Sequence, residues 1–105
     1  MKRPALLFVL LTLGTSPTWS MTEAECSDKA LRAESIMLAR QNGEPLEPAL
    51  DVLKDPAIPQ DMLATAKELL FAAYQEPRMA SAIDRQLAVA NFRDKVHVAC
   101  LAESN

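Results

Sequence analysis

Two cysteines constrain the fold of this 105-residue chain more than any other feature of its sequence. Cys26 lies shortly after an apolar amino-terminal run, and Cys100 lies close to the carboxyl end. In an oxidising compartment two cysteines allow a single pairing. A metal pair or a redox couple would need closely spaced cysteines or added ligands, and the sequence has neither. We therefore expect a structural disulfide between these two residues.

The start of the chain has the pattern of an export signal. A basic dipeptide precedes an apolar run over 5–13, and Thr18 and Ser20 are small residues at the −3 and −1 positions of a cut after Ser20. The run is far shorter than the roughly 20 residues of a membrane-spanning helix. We therefore expect a cleaved signal peptide over 1–20, a single helical domain over 21–105, and a periplasmic or secreted protein. An uncleaved amino-terminal anchor is the alternative.

The part of the chain that follows the expected signal peptide is acidic. The signal contains two of the eleven basic residues and none of the fourteen acidic ones, which leaves nine basic residues, fourteen acidic residues and a net charge of −5. An acidic domain without a basic cluster is a poor match for nucleic acid or for an anionic membrane surface. We therefore expect no nucleic-acid binding and no membrane association after signal cleavage.

Composition and apolar spacing predict an all-α fold, a small antiparallel bundle of about four helices stapled by one disulfide. A single glycine, Gly43, follows the signal, alanine is frequent, and prolines fall between the periodic segments. Thr22 and Glu25 have the spacing of a capping box, and Asn42 and Gly43 are suited to end the first helix. The expected helices cover 23–41, 47–54, 60–75 and 78–101.

The two cysteines also favour an even number of helices. Short connections make successive helices antiparallel, so four helices bring the start of the first and the end of the last together. Three long helices would leave the cysteines about 25–30 Å apart at 1.5 Å per residue. The residues that we expect to face inward are Leu46, Leu50 and Leu53 in the second helix, Met62, Ala66, Leu69 and Ala73 in the third, and Ile83, Leu87, Val89, Ala90, Phe92, Val96 and Cys100 in the fourth.

The sequence contains no pattern of catalytic, metal-ligating or cofactor-binding residues. The single histidine, His97, has no partner at metal-ligand spacing. The serines lack the sharp glycine turn of a nucleophile elbow, and there is no glycine-rich phosphate loop or calcium-binding pattern. We therefore expect no enzyme activity, no cofactor and no metal.

Four acidic residues around the second predicted helix form the most specific charge pattern of the chain. They are Glu44, Glu47, Asp51 and Asp55, spaced to lie on one side of that helix. Like charges four residues apart destabilise a helix by about 0.2–0.5 kcal/mol. A helix that tolerates this repulsion can present an acidic face that steers a cationic partner. A solvated face that keeps a small protein soluble is the alternative.

Three stretches resemble small exported two-cysteine helical proteins of proteobacteria and their prophages. They are Cys26 to Gly43 with Arg40-Gln41, Ala73-Tyr74 to Pro77-Arg78, and Phe92 to Cys100. The resemblance implies a helical, disulfide-bonded, exported protein. By size, export and disulfide the chain is also similar to phage-encoded periplasmic lysozyme inhibitors and to immunity proteins against injected cell-wall toxins, without a shared motif.

The lack of catalytic motifs, together with the acidic residues around the second predicted helix, leads us to expect a non-enzymatic periplasmic binding protein that caps or inhibits a protein partner, such as a basic cell-wall hydrolase or toxin of the kind met by immunity or phage-accessory proteins. An envelope-stress or acid chaperone is the alternative, because a thin disulfide-linked core can open at low pH. A small accessory subunit of an envelope complex is a third possibility. An exposed apolar face on so small a bundle would equally allow a homodimer.

Overall fold

The computed structural model describes residues 21–104, which form four α-helices. They are α1 (Glu23–Gln41), α2 (Leu46–Val52), α3 (Gln60–Tyr74) and α4 (Ala82–Glu103). This part of the chain contains no strand, so the all-α prediction is confirmed. The predicted signal peptide, residues 1–20, and the terminal Asn105 lie outside the described residues.

Local interactions at its two ends set the length of α1. The Thr22 hydroxyl accepts a hydrogen bond from the Glu25 amide at 3.1 Å, and the Glu25 carboxylate accepts one from the Thr22 amide at 2.8 Å. This reciprocal pair is the predicted capping box. Gly43 follows the helix with φ of +84°, a left-handed conformation that glycine adopts readily. A Cβ atom there would lie 3.3 Å from Nε of Arg78, so glycine also leaves room for that guanidinium.

The fourth helix begins at Ala82 rather than at Arg78, which corrects the predicted start. Ser81 is the N-cap, and its hydroxyl accepts a hydrogen bond from the Asp84 amide at 3.0 Å. The residues before it stay outside the helix because side chains bind their backbone. Nη1 of Arg85 donates to the carbonyls of residues 79–80 at 3.0 and 2.8 Å. The other helix boundaries agree with the predicted ones to within one or two residues.

The disulfide between Cys26 and Cys100 joins the start of α1 to the end of α4. The two sulfur atoms are 2.04 Å apart, and the two Cα atoms are 5.5 Å apart. This Cα separation lies within the range that a disulfide requires, about 4.4–6.8 Å. The predicted pairing and the even number of helices are confirmed. A disulfide in so small a protein fits a location outside the cytoplasm.

The first helix, α1, is the support on which the rest of the bundle packs. α4 runs antiparallel along α1, and α3 packs on another side of it. Lys29 pairs with Glu68, and further along both helices Arg40 stacks on Tyr74, so α1 and α3 run in the same direction. The short α2 packs mainly on α3 and contains no buried residue. The helices therefore follow the order of an up-down-up-down bundle in which α2 is much shorter than the other three.

The core is a small cluster where the three long helices meet. Its buried members are Ala33 and Met37 of α1, Leu69 and Ala73 of α3, and Phe92 of α4. The buried alanines let the helices approach closely. Four half-buried residues, Ile36, Tyr74, Val89 and Val96, pack around this cluster.

Several residues that were expected to face inward are exposed or half-buried. Ile83 and Leu87 are 70% and 53% exposed, and Met62 is 42% exposed. α4 is packed closely against α1 alone, which buries a narrower stripe than a helix surrounded by two neighbours would have. The inner residues of α2, namely Leu46, Leu50 and Leu53, are half-buried because that helix is short and lies at the side.

Loss of the disulfide should lower the free energy of unfolding by about 4 kcal/mol. The bond closes a loop of sequence separation 74, and the chain-entropy model assigns ~4.5 kcal/mol to a loop of that length. Urea unfolding of the oxidised protein and of the variant with Cys26→Ala and Cys100→Ala, followed by far-UV circular dichroism, measures the difference. Ser27→Ala, an exposed change next to the bond, is the control. A difference below about 1 kcal/mol would contradict the role given to the disulfide.

Candidate functional site

An open groove runs along α4. The backbones of α3 and α4 approach each other at few points, although both helices pack on α1. The groove contains two hollows of about 410 and 330 Å³: the larger lies between α4 and the loop over 76–79, and the smaller lies between α4 and α3. Both hollows are bordered by Phe92, Glu76 and Lys95, so they adjoin and form one continuous surface.

The floor and walls of this groove are largely apolar. Met37 and Phe92, which are 1% and 4% exposed, lie at the bottom of the larger hollow. Its walls include Pro77, Met79, Leu87 and Ala88. The smaller hollow continues along α4 toward the disulfide, with α3 on its other side, and is lined by Leu69, Ala72, Val96, Ala99 and Cys100 among others.

Two ion pairs border the groove and use both of its lysines. Nζ of Lys95 lies 3.9 Å from Oε2 of Glu76, and Nζ of Lys29 lies 3.6 Å from Oε1 of Glu68. The acids that remain on the lining stand at opposite ends of α4. Asp84 is in its first turn and Glu103 is its last residue. The groove is therefore apolar along its floor and negative at its ends.

Gln41, at the end of α1, fixes the loop that closes one end of the groove. Its side chain is buried, with 1% of the residue exposed. Nε2 donates to the Pro77 carbonyl at 2.9 Å, and Oε1 accepts from the Met79 amide at 2.8 Å. The Gln41 carbonyl accepts from Nε of Arg78 at 2.8 Å. Pro77 and Met79 line the larger hollow, so this buried amide sets the shape of its wall.

Two arginines hold the same loop from either side. Nε of Arg40 donates to the Glu76 carbonyl at 3.0 Å, and its guanidinium lies over the Tyr74 ring, 5.4 Å from the ring centre. Arg85 donates to the carbonyls of residues 79–80, as described for the start of α4. The wall of the groove is thus fixed by hydrogen bonds from three side chains.

The Tyr74 hydroxyl ties α3 to the connection between α1 and α2. It donates to the Glu44 carbonyl at 2.9 Å, so its partner lies on that connection and not across the turn that follows α3. Burial raises the pKa of Tyr74 above 10.0, the negative charge of Glu44 adds to this rise, and Arg40 opposes it. The resulting stabilisation is present below pH about 10 and is lost as the pH rises through the raised pKa.

The four acidic residues of the predicted acidic face lie in and around α2. Glu47 and Asp51 are in α2, whereas Glu44 precedes the helix and Asp55 follows it. Asp51 pairs with Lys54 at 3.2 Å, and Oδ1 of Asp55 accepts from the Ala57 amide at 2.9 Å. All four are exposed, and none lines the groove. Their role in binding a partner stays a prediction.

Arg93 links α4 to α1 on the surface of the bundle. Its Nη1 lies 3.0 Å from Oε2 of Glu34, and its Nε lies 2.9 Å from Oδ1 of Asp94. The hydrogen bond from Arg93 lowers the pKa of Asp94 below 3.8, and the bonds to Asp94 and Glu34 raise the pKa of Arg93. Since Asp94 is exposed, the contribution of this pair to stability is small.

Within residues 21–104 no group of three or more histidine, cysteine, aspartate or glutamate residues is placed to hold a metal ion. None of the helices in this part of the chain is both long and apolar enough to cross a membrane. No protein-family model, no curated protein and no solved structure matches the chain. Two of the stretches that carry the resemblance described above, Arg40-Gln41 and 73–78, meet at the loop held by Gln41.

The sequence carries a signal for the burial of Gln41. The buried series Cys26, Ala30, Ala33 and Met37 continues at the next helical step to Gln41. A polar residue on a buried face requires a hydrogen-bonding partner, so its burial could have been expected. The groove has a weaker signal, because Ala88 and Ala99 of α4 lie near Phe92 at helical spacing. Small residues at such positions equally suit a closely packed helix seam.

Gln41→Ala should destabilise the protein by about 2–4 kcal/mol. The change leaves the Met79 amide and the Pro77 carbonyl without their side-chain partner and opens a small cavity. Gln86→Ala, on the exposed surface of α4, is the matched control and should change stability by less than about 0.5 kcal/mol. Urea unfolding of the three proteins tests this. Equal stability of the two variants would contradict the structural role of Gln41.

The fold should persist to about pH 4 and lose a little stability below it. The lowered pKa of Asp94 stabilises the protein above pH 3.8, and this stabilisation is lost as the pH falls through the lowered value. None of the described acidic side chains is buried. Thermal melts and binding of a hydrophobic dye from about pH 7 to 3 measure the effect, with Asp94→Asn as the variant that should flatten the profile. Strong dye binding already at about pH 5 would contradict it.

Proposed function

We propose that the chain is a non-enzymatic exported binding protein, periplasmic or secreted, that caps a protein partner. The observation that carries this proposal is the groove along α4. At one end of the groove, the loop held by Gln41 fixes the wall. At the other end, the disulfide ties α4 to α1, the helix that contributes Met37 to the floor. A binding surface that is already ordered before binding loses less conformational freedom when the partner arrives.

The shape of the groove favours a polypeptide over a small molecule. Small-molecule sites enclose most of the surface of their ligand. Here two open hollows adjoin along the length of α4, so an occupant would keep one side in solvent. Such troughs suit a segment of a protein chain, as when an amphipathic helix lies in an apolar groove.

The charge of the domain favours a basic partner. The net charge of −5 that follows the expected signal peptide, together with Asp84 and Glu103 at the ends of the groove, would attract a cationic protein and increase its rate of association. Basic cell-wall hydrolases and toxins that act in the same compartment are the class that we propose. This choice also rests on the similarity to small exported inhibitors and immunity proteins.

An acid-activated chaperone is the alternative that we favour less. Opening at low pH needs a buried acid whose protonation destabilises the fold, or strong repulsion between positive charges. Gln41 is the buried polar residue among those described, and it does not titrate. The described core therefore contains no buried acidic side chain whose protonation would open the fold.

The proposal is tested by capture followed by inhibition. The oxidised protein, expressed full-length, is immobilised and exposed to envelope extract from cells that encode it. A retained protein is then purified, mixed with the chain, and its activity on purified cell wall is measured. We expect a stoichiometric complex in which that activity falls at least about tenfold, since capping excludes the substrate.

Other outcomes would overturn the proposal or change its class. A complex that leaves the activity unchanged would indicate an accessory subunit. Many unfolded proteins retained without stoichiometry would indicate a chaperone. Asp51→Lys together with Asp55→Lys should weaken binding and reduce its salt dependence if the acidic residues around α2 steer the partner. Unchanged binding would remove these residues from the mechanism.

A further inference from the structure

We propose that the groove along α4 binds an amphipathic helix of the partner, with an apolar side chain in the larger hollow and a basic side chain next to Asp84. This inference rests on the proposed function, because it assigns the site and the chemistry of that partner. It places the contact on α4 and its neighbours in the groove, namely α3 and the loop over 76–79, and not on the four acidic residues around α2.

The sparse contact between α3 and α4 defines the position of the occupant. α1 packs on both of these helices, whereas the backbones of α3 and α4 approach each other at few points. The short α2 does not fill the space beside α4, since α2 lies mainly on α3 and lines neither hollow. A further helix laid along α4 would give α4 a second long neighbour.

The floor of the larger hollow fits an apolar anchor. Phe92 and Met37 are almost fully buried below it, and Leu87 stands 53% exposed on its wall. Met79 lies on the same wall, and the flexible, polarisable side chain of methionine adapts to differently shaped apolar groups. Burial of Leu87 and of the anchor together would remove apolar surface from water on both partners.

The charges on the lining favour a basic helix over an acidic one. Both lysines are already paired, with Glu76 and Glu68, so the acids left for a partner are Asp84 and Glu103. These acids lie at the two ends of α4, about 28 Å apart along its axis at 1.5 Å per residue. A helix of about five turns with basic residues near both ends matches this spacing.

A second copy of the chain is a weaker candidate for the same groove. The part of the chain after the expected signal carries a net charge of −5, so two copies repel each other and neither adds basic residues in excess. The groove would therefore gain no charge complementarity from self-association. Sedimentation of the full-length-expressed, oxidised protein over a range of concentrations tests this outcome directly.

Three synthetic helical peptides of about 18 residues, roughly five turns each, serve as probes. The first has a leucine face flanked by lysines, the second has the same leucine face flanked by glutamates, and the third has lysines with serine in place of leucine. Each is titrated into isotope-labelled oxidised protein, and amide chemical shifts are recorded. We expect the leucine–lysine peptide to cause saturable shifts at Ala88, Asn91, Lys95 and Ala99, and the other two peptides to cause none.

Matched variants then separate the groove from general charge attraction. Ala88→Trp fills the larger hollow and should weaken binding of the leucine–lysine peptide at least about tenfold. Asp84→Lys should weaken it about three- to tenfold, with a smaller effect at high salt. Asp61→Lys is the control, because Asp61 is also an exposed acid in the first turn of a helix but lines neither hollow. It should leave affinity within about twofold.

Thermal melts establish that each variant is folded. If Ala88→Trp does not fold, Glu103→Lys replaces it, since a basic residue at the carboxyl end of α4 is favourable to the helix. Four results would each overturn the inference. They are an equal loss of affinity in Asp61→Lys and Asp84→Lys, chemical-shift changes confined to residues 44–55, dimerisation through the groove, and the absence of saturable binding.

The same variants distinguish this inference from the proposed function. If a captured partner is inhibited equally by the unaltered protein and by Ala88→Trp and Asp84→Lys, the groove is not the binding site and the proposed function stands. If the captured partner is bound but not inhibited, the proposed function fails whatever the peptides show.

Discussion

The covalent bond between Cys26 and Cys100 is the constraint on which the rest of the fold depends. It makes α1 and α4 an antiparallel pair that cannot separate at one end, and it encloses α2 and α3 within the same loop. Within residues 21–104, three of the nine buried apolar residues are alanines, so the packed surface is small even for a domain of this size. The bond compensates for that thin core by restricting the unfolded chain.

The opposite end of the α1–α4 pair is held by different chemistry. There the buried amide of Gln41 takes hydrogen bonds from one loop residue and gives them to another, while Arg40 and Arg85 bind neighbouring carbonyls. Buried amide groups are specific in geometry because each unpaired atom would be unfavourable. The two ends together keep α4 in place on α1. Between these ends, side chains of modest size line the groove along α4, with Phe92 at its centre.

Helix positions could be predicted from the sequence because local signals determine them. The Thr22–Glu25 capping box and Gly43 define the two ends of α1, and the cysteines supplied one long-range distance. The start of α4 could not be predicted, because the backbone before Ala82 is held by Gln41 and Arg85, whose positions depend on the tertiary fold. The groove could not be predicted from the sequence either. Apolar periodicity shows that a face is buried or bound, and does not show how many neighbours cover it.

The order of the helices along the chain affects how the protein folds. Of these four helices α1 is synthesised first, yet its principal partner is α4, synthesised last, so native contacts join segments far apart in the sequence. Helical proteins usually fold quickly because their contacts are local. In this chain the side of α1 that α4 covers stays open until α4 has been made, and oxidation of Cys26 must wait for Cys100. A newly made chain therefore passes through a period in which proteases and aggregation compete with its completion.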